Sequence, residues 1–340
     1  MGAMAARQNW AGLWRFAYSH VERGLADGYG APHLFGLSVD PVNLASERAV
    51  MCLFLRGDMA PLEAKVALDV GAPRLTPDGK PAANRPEWMD EAWRIQVGRV
   101  SAEKNAEERK KCYGIGYSNV YGSVDRAEVP SCSNISFANF EANSNSWTLF
   151  PIDAVLSVPP VAPEERSDFV IDREAGSVCI STSRTCGIFA ECGAHEAGAL
   201  RVEILEAPAP LRLCVGKGAT SVWASSLDGE PIETSSRILV THLTDAQAEG
   251  NVFADRARGI MLKWGKGKTL VRNGAAHVSL SLCEPRGYVV YGLDTAGRRV
   301  GTLPATALDG VLSFEVSTRG QAGGRIYYEV ARKQRGNAPD

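Results

Sequence analysis

The chain has no apolar run approaching the ~20 residues that a membrane-spanning helix needs, and no excess of either charge. Its 37 basic and 39 acidic residues leave a formal net charge of −2. A chain so balanced has no global field to gather nucleic acid or an anionic bilayer, so neither is an expected partner. Also missing is a basic segment followed by a short apolar one, the form of a secretory leader. Residues 1–9, beginning Met1-Gly2-Ala3-Met4-Ala5, read instead as a cloning scar and lead-in. The compartment stays open, because a mature exported protein would lack a leader too.

No fixed internal repeat stands out in the 340 residues, a length that suits two domains or one large domain with an appendage. Eight cysteines are present, but their spacing forms no compact disulfide framework. Most lie in apolar strand patterns, as in Val178-Cys179-Ile180 and Leu213-Cys214-Val215. There a cysteine packs as a small hydrophobe, so buried free thiols and a reducing compartment are the default expectation.

What is present changes along the chain. The aromatic run Trp10-Ala11-Gly12-Leu13-Trp14-Arg15-Phe16-Ala17-Tyr18 suits a buried strand or an amphipathic helical turn. A helix is expected from Asp40 to Leu55, with Asp40 as N-cap, Pro41 in the first turn and Gly57 just past the end. Residues 61–165 read as a mixed region: a strand near Lys65–Val70, turn chemistry at Thr76–Pro81, and a short helix leading into a strand from Pro86 to Val100. A solvated charged run from Lys104 to Lys111 and long Gly/Ser/Asn-rich loops from Tyr113 to Trp147 complete it.

From about residue 166 to 335 the pattern becomes regular. Short apolar strands recur every ~8–12 residues. They are separated by turns such as Asp228-Gly229, Asn273-Gly274 and Asp309-Gly310. That rhythm predicts an antiparallel β-sandwich, in one or two β subdomains, rather than βαβ units. The expected fold is therefore mainly β, with a short helical segment before it.

Two groups of strings carry a resemblance. Asp40-Pro41, Ala45-Ser46-Glu47-Arg48-Ala49 and Leu53-Phe54-Leu55-Arg56-Gly57-Asp58 resemble the last βα unit of large bacterial glycoside hydrolases with a clan A type barrel. Trp223-Ala224-Ser225-Ser226-Leu227-Asp228-Gly229, Leu239-Val240-Thr241-His242-Leu243-Thr244-Asp245, Leu270-Val271-Arg272-Asn273-Gly274 and Tyr327-Tyr328-Glu329-Val330 are similar to the C-terminal β domains of those enzymes. The resemblance implies that residues 10–60 are a barrel remnant, and that the acid/base and nucleophile glutamates belong to upstream strands outside this chain. Retaining hydrolysis requires two carboxyls ~5 Å apart, and residues 1–60 offer no replacement pair. It further implies that Trp14, Tyr18 and His20 lie near the end of an eighth strand. There rings can stack on sugar, or, with the other strands missing, pack against the sandwich. A lone strand and helix would expose an apolar face, so a homodimer burying Trp10–Leu55 is expected.

Three constellations could carry chemistry. Cys186, Cys192 and His195 lie within ten residues, enough for a thiol–imidazole pair or, as an alternative, zinc. On an unbroken strand, however, the two cysteines would be about 20 Å apart at ~3.3 Å per residue. His242 lies three residues from Asp245, half of a triad to which Ser225 or Ser226 would add the nucleophile. The plainer reading makes Thr244 or Asp245 the cap of a short helix through Gln247-Ala248-Glu249. Gly114-Ile115-Gly116, Gly216-Lys217-Gly218 and Gly265-Lys266-Gly267-Lys268 lack the full phosphate-loop pattern and read as turns. Trp88, Trp93, Trp147, Trp223 and Trp264 suit either a core or a sugar-stacking platform. No cofactor is called for. The expected function is an accessory carbohydrate-contacting sandwich. The alternatives are a hydrolase using Cys, His and Asp on an ester, phosphoester or glycoside, and a carbohydrate-binding module.

Overall fold

The computed structural model describes residues 1–14, 18–19, 36–62, 168–205, 218–254, 258, 260–266, 268–320 and 323–333, and the backbone of five strands between 65 and 157. The chain divides into two compact units, one holding Met1–Ala3, Leu13–Met59 and Ser167–Asp340, the other Met4–Gly12 and Ala60–Arg166. Helix α1 spans Gly2–Arg7, inside the stretch that reads as a lead-in, and Ala3, Ala5 and Ala6 are buried.

The smaller unit contains β1 (Lys65–Asp69), β2 (Gln96–Val100), β3 (Asn134–Ser136), β4 (Thr148–Pro151) and β5 (Val155–Ser157). β1 pairs in parallel with both β2 and β4, and β3 pairs in parallel with β5. Parallel neighbours need long crossovers, so this unit is built on a different plan from the antiparallel region that follows. The expected turn at Thr76–Pro81 and the charged run Lys104–Lys111 fall outside the described residues.

The larger unit is the expected antiparallel sandwich. Its strands are β6 (Phe169–Asp172), β7 (Ser177–Ser181), β8 (Thr185–Ala190), β9 (Gly193–Ala197), β10 (Leu200–Leu205), β11 (Thr220–Ser226) and β12 (Arg237–Leu243). Then come four short strands, β13 (Ala246–Ala248), β14 (Val252–Phe253), β15 (Met261–Lys263) and β16 (Thr269–Val271). The series continues with β17 (Ala275–Ser281), β18 (Tyr288–Leu293), β19 (Arg299–Leu303), β20 (Ala305–Leu308) and β21 (Val311–Ser317). It ends with β22 (Arg319–Gly320), β23 (Gly323–Gly324) and β24 (Tyr327–Arg332). One sheet has eight strands in the order β19-β18-β24-β12-β11-β8-β7-β6, the other five in the order β20-β21-β17-β10-β9.

Alternation explains why these segments pair as they do. In β10, Leu200, Val202 and Ile204 are buried while Arg201 and Glu203 face water. A one-residue slip would reverse both faces, which fixes the register. Ile188, Val222 and Val240 from the large sheet meet Leu200, Val278 and Phe314 from the small one in a single core. Each such side chain contributes roughly 1.5–3 kcal/mol on burial. At the β20–β21 hairpin, Asp309 and Gly310 take φ of 48° and 79° between the paired residues Leu308 and Val311. An Asp-Gly pair tolerates this turn of two positive φ angles, which matches the twist of the strands.

Helix α2 (Pro41–Val50) starts as expected: the Asp40 carboxylate accepts from the amides of Val42 and Asn43 at 2.9 and 3.0 Å. It widens into a π-turn over Met51–Leu55, and Gly57 then takes φ +72°. The strand or helical turn expected around Trp10–Tyr18 is not formed in its described part, where residues 10–14 and 18–19 are irregular. A barrel strand needs neighbours on both edges, and none is present among the described residues.

Candidate functional site

The sandwich places the candidate residues on different surfaces. Cys186 lies in β8 with its side chain in the core, where its thiol donates to the Thr182 carbonyl at 3.1 Å. Burial pushes that thiol up to about 11, which keeps it protonated and unreactive at neutral pH. Cys192 is exposed in the turn that follows, and His195 sits in the middle of the return strand β9. The His195 imidazole Nε2 contacts the Cys192 carbonyl oxygen at 3.0 Å, a backbone contact rather than a thiol–imidazole pair. Among the described residues no three His, Cys, Asp or Glu side chains converge on a common point suited to a metal ion.

The triad reading fails on geometry. His242 is fully buried on the inner face of β12, opposite Val222 of β11; Ser225 alternates to the outer face, and Ser226, on the inner side, stands opposite Ile238 at the other end of β12. Neither imidazole nitrogen has a hydrogen-bond partner. Asp245 turns away to pair with Arg258 at 2.5 Å. The helix expected after Asp245 is also absent: Ala246–Ala248 form strand β13, paired with β16. Cross-strand pairing there prevails over a weak local capping signal. Burial, reinforced by the nearby Arg272 charge, lowers His242 to about 4, so the ring is neutral across the ordinary pH range.

The N-terminal aromatics do not pack against the sandwich as expected: Trp14 is 95% exposed and Tyr18 54%. The Tyr18 carbonyl does anchor the chain, accepting from the amides of Leu37 and Ser38 at 3.0 and 2.9 Å. His20 lies outside the described residues. So do Trp88, Trp93 and Trp147. Trp223 is buried, and Trp264 is half-exposed.

The structure assembles a polar surface that sequence reading missed. On the solvent face of the five-stranded sheet, Glu196, Arg201, Glu203, His277 and Ser279 line a shallow depression of about 300 Å³, with His195 at its border on the edge strand β9. Strand pairing builds it. Glu203 stands opposite His277, which in turn stands opposite Glu315. Arg201 pairs with Glu196 across β9 and β10 at 3.1 Å. Ser279 and Ser313 share a hydroxyl hydrogen bond at 2.8 Å. The chemistry is that of a recognition surface: the His277 imidazole, the Glu196 and Glu203 carboxylates and the Arg201 guanidinium share this face, whereas His195, paired with the buried Val202, alternates away from it. The only sequence signal was the period-two pattern of polar residues in β10 and β17, and pattern alone does not say which strands will be neighbours.

A second constellation joins the helical segment to the sandwich. Arg56 makes two hydrogen bonds to the Asp58 carboxylate, at 2.9 and 2.6 Å, and donates to the Ser226 carbonyl at 2.7 Å. Thr185 donates to the same carboxylate at 2.7 Å, and Arg184 pairs with it at 3.1 Å. Its bond to Asp58 raises the Arg56 guanidinium above its ordinary range. Asp58 has no side-chain exposure. With every oxygen engaged in this way, its role is to hold structure.

No protein-family model, curated protein or solved structure matches this chain.

Proposed function

We propose that this chain is an accessory, non-catalytic β region of a glycoside hydrolase-like protein, contacting carbohydrate through the exposed face of its five-stranded sheet. The observation that carries the reading is the polar depression over β9, β10 and β17. Planar side chains arrayed on an open sheet face suit the hydroxyl pattern of a sugar, because each presents fixed donors or acceptors to a flat ligand. The likeness of the Arg56-Gly57-Asp58 and Trp223–Gly229 strings to those enzymes supports the same reading. So does the placement of Cys186 in the core, away from His195, which offers nothing to a thiol-based hydrolase. Trp14, Leu55 and Met51, exposed at 95%, 72% and 56%, favour self-association.

The test is calorimetric titration of the whole chain with a panel of neutral and acidic glycans, beside turnover assays on chromogenic glycosides, esters and phosphoesters. Saccharide binding that weakens in His277→Ala, without turnover, is the expected result. Turnover above buffer that is lost on alkylation of thiols would overturn the accessory reading.

A further inference from the structure

Helix α2 and the π-turn that follows it lie along the outer face of the eight-stranded sheet, packed on β12. At one end Ala45 meets Leu243 and Ile326. At the other, Arg56 donates to the Ser226 carbonyl, and Ser226 stands opposite Ile238. From Ala45 to Arg56 a helix spans about 16 Å, and β12 covers about the same distance from Leu243 to Ile238. The segment therefore runs the length of the strand. Between its two ends, on this face, stand Trp223, Thr241 and Ser225: Trp223 is opposite Thr241, and Ser225 follows two positions along β11.

The junction is poorly matched. The Trp223 indole N–H and the Ser225 and Thr241 hydroxyls are cut off from water and have no hydrogen-bond partner. On the segment's own side Arg48 Nε is in the same state. Burial raises the Tyr327 phenol and the nearby Arg48 charge opposes it, which places Arg48 beside the residue opposite Thr241. Each polar group buried without a partner costs free energy that contact with water would return. Little offsets that cost, because Ala45 is the one fully buried residue of α2. The five residues Met51–Leu55 take the π form, which is rare and recurs at functional sites. Gly57 then turns the chain at φ +72° with open space around it, before Asp58 is tied to Thr185 and Arg184.

We propose that Pro41–Leu55 is a strap that opens about Gly57 while the sandwich stays folded, with Asp58 as its anchor. Opening breaks the Arg56–Ser226 bond and the Ala45 contact, and it returns the four unpartnered groups to water. The inner face of the sheet is untouched, since its core is formed with the five-stranded sheet. Local opening of this kind draws on regions with few buried apolar contacts. Closed, the strap occludes the outer face; open, it leaves an indole ring and two hydroxyls accessible there. The strap is independent of the carbohydrate reading, which concerns the opposite sheet.

Two buried free thiols provide the test on the full chain. Cys52 lies in the π-turn at 5% exposure, and Cys186 in the sandwich core at 0%. Native protein is pulsed with iodoacetamide and the alkylation of each cysteine is read by peptide mass spectrometry. Cys52 is expected to react at least about a hundredfold faster than Cys186, which waits for global unfolding. The double change Ser225→Ala/Thr241→Val removes two of the unpartnered groups and favours the closed strap. It is expected to slow Cys52 about tenfold and to leave Cys186 no faster. Alkylation of both thiols at one common rate overturns the strap, because the segment then opens only with the whole unit. A fast Cys52 that the double change does not slow also overturns it, since the buried polar groups would then have no part in the opening.

Discussion

The two faces of the eight-stranded sheet are buried by different means. On the inner face, Ile188, Val222, Val240, Ile238 and Val330 meet the apolar face of the opposite sheet, and the burial is almost wholly hydrocarbon. On the outer face, Thr185, Trp223, Ser225, Thr241 and Glu329 are just as inaccessible. The segment 36–59 packs there through a small apolar contact of Ala45 with Leu243 and Ile326, and through the Asp58 ion-pair cluster. Trp223 Nε1, Ser225 Oγ and Thr241 Oγ1 have no hydrogen-bond partner on that face. The inner face is held by area and shape, which are non-directional and tolerant. The outer face depends on a few directional contacts, so losing one has a larger relative effect.

Breaking the ionic junction tests this contrast most directly. Asp58→Ala removes the carboxylate that Arg56, Arg184 and Thr185 share. It is expected to destabilise the larger unit by about 2–4 kcal/mol, short of the full value for a buried pair because both guanidiniums reach water. Urea unfolding followed by tryptophan fluorescence would measure it. A shift in midpoint corresponding to less than about 0.5 kcal/mol would mean that the segment is held by its apolar contacts instead.

Acid tests the histidine buried in the inner layer. His242 is held at about 4, below its ordinary 6.5, by burial and by Arg272. The folded state therefore binds the proton more weakly than the unfolded chain. The stability tied to the neutral ring is complete above pH 6.5 and is lost as pH falls toward 4. The expected loss over that window is about 3 kcal/mol. Measured stability should thus fall more steeply in the wild type than in His242→Leu between pH 6.5 and 4. Parallel pH curves for the two proteins would refute the assignment.

The smallest effect concerns the unpartnered hydroxyl on the outer face. Thr241→Val keeps the shape and removes a buried polar group without a partner, so stability should be unchanged or rise by up to about 1 kcal/mol. A clear drop in the thermal midpoint would show that the hydroxyl is hydrogen-bonded in solution.

Much of the sandwich was readable because its signal is local. The regular run of short apolar strands read between residues 166 and 335 is there, as in β7 (Ser177–Ser181), β10 (Leu200–Leu205) and β18 (Tyr288–Leu293). Asp40 capping α2 was equally clear, since a cap is decided within four residues. The short strands β13, β14 and β16 were missed because two or three residues carry too little periodicity to register. Gln247 belongs to a strand because of its partner Leu270, which lies far along the chain. Arg56-Gly57-Asp58 was read only as a helix end. Nothing local says that its carboxylate will meet Thr185, 127 positions later.

The candidate sites divide in the same way. His195 and His242 stood out in the sequence as chemistry-bearing residues, but their surroundings did not. The first lies at the edge of an open polar sheet face, the second in the core with both nitrogens unpartnered. By itself the sequence determined the mainly β class, the spacing of the principal strands and the helix start at Asp40, because alternation and capping act over a few residues. Only the tertiary structure decided which strands are neighbours, and with that the Glu203–His277–Glu315 row, the burial of His242 and the partners of Asp58. These depend on pairings between residues distant in the chain, set by the burial of whole faces rather than by any local preference.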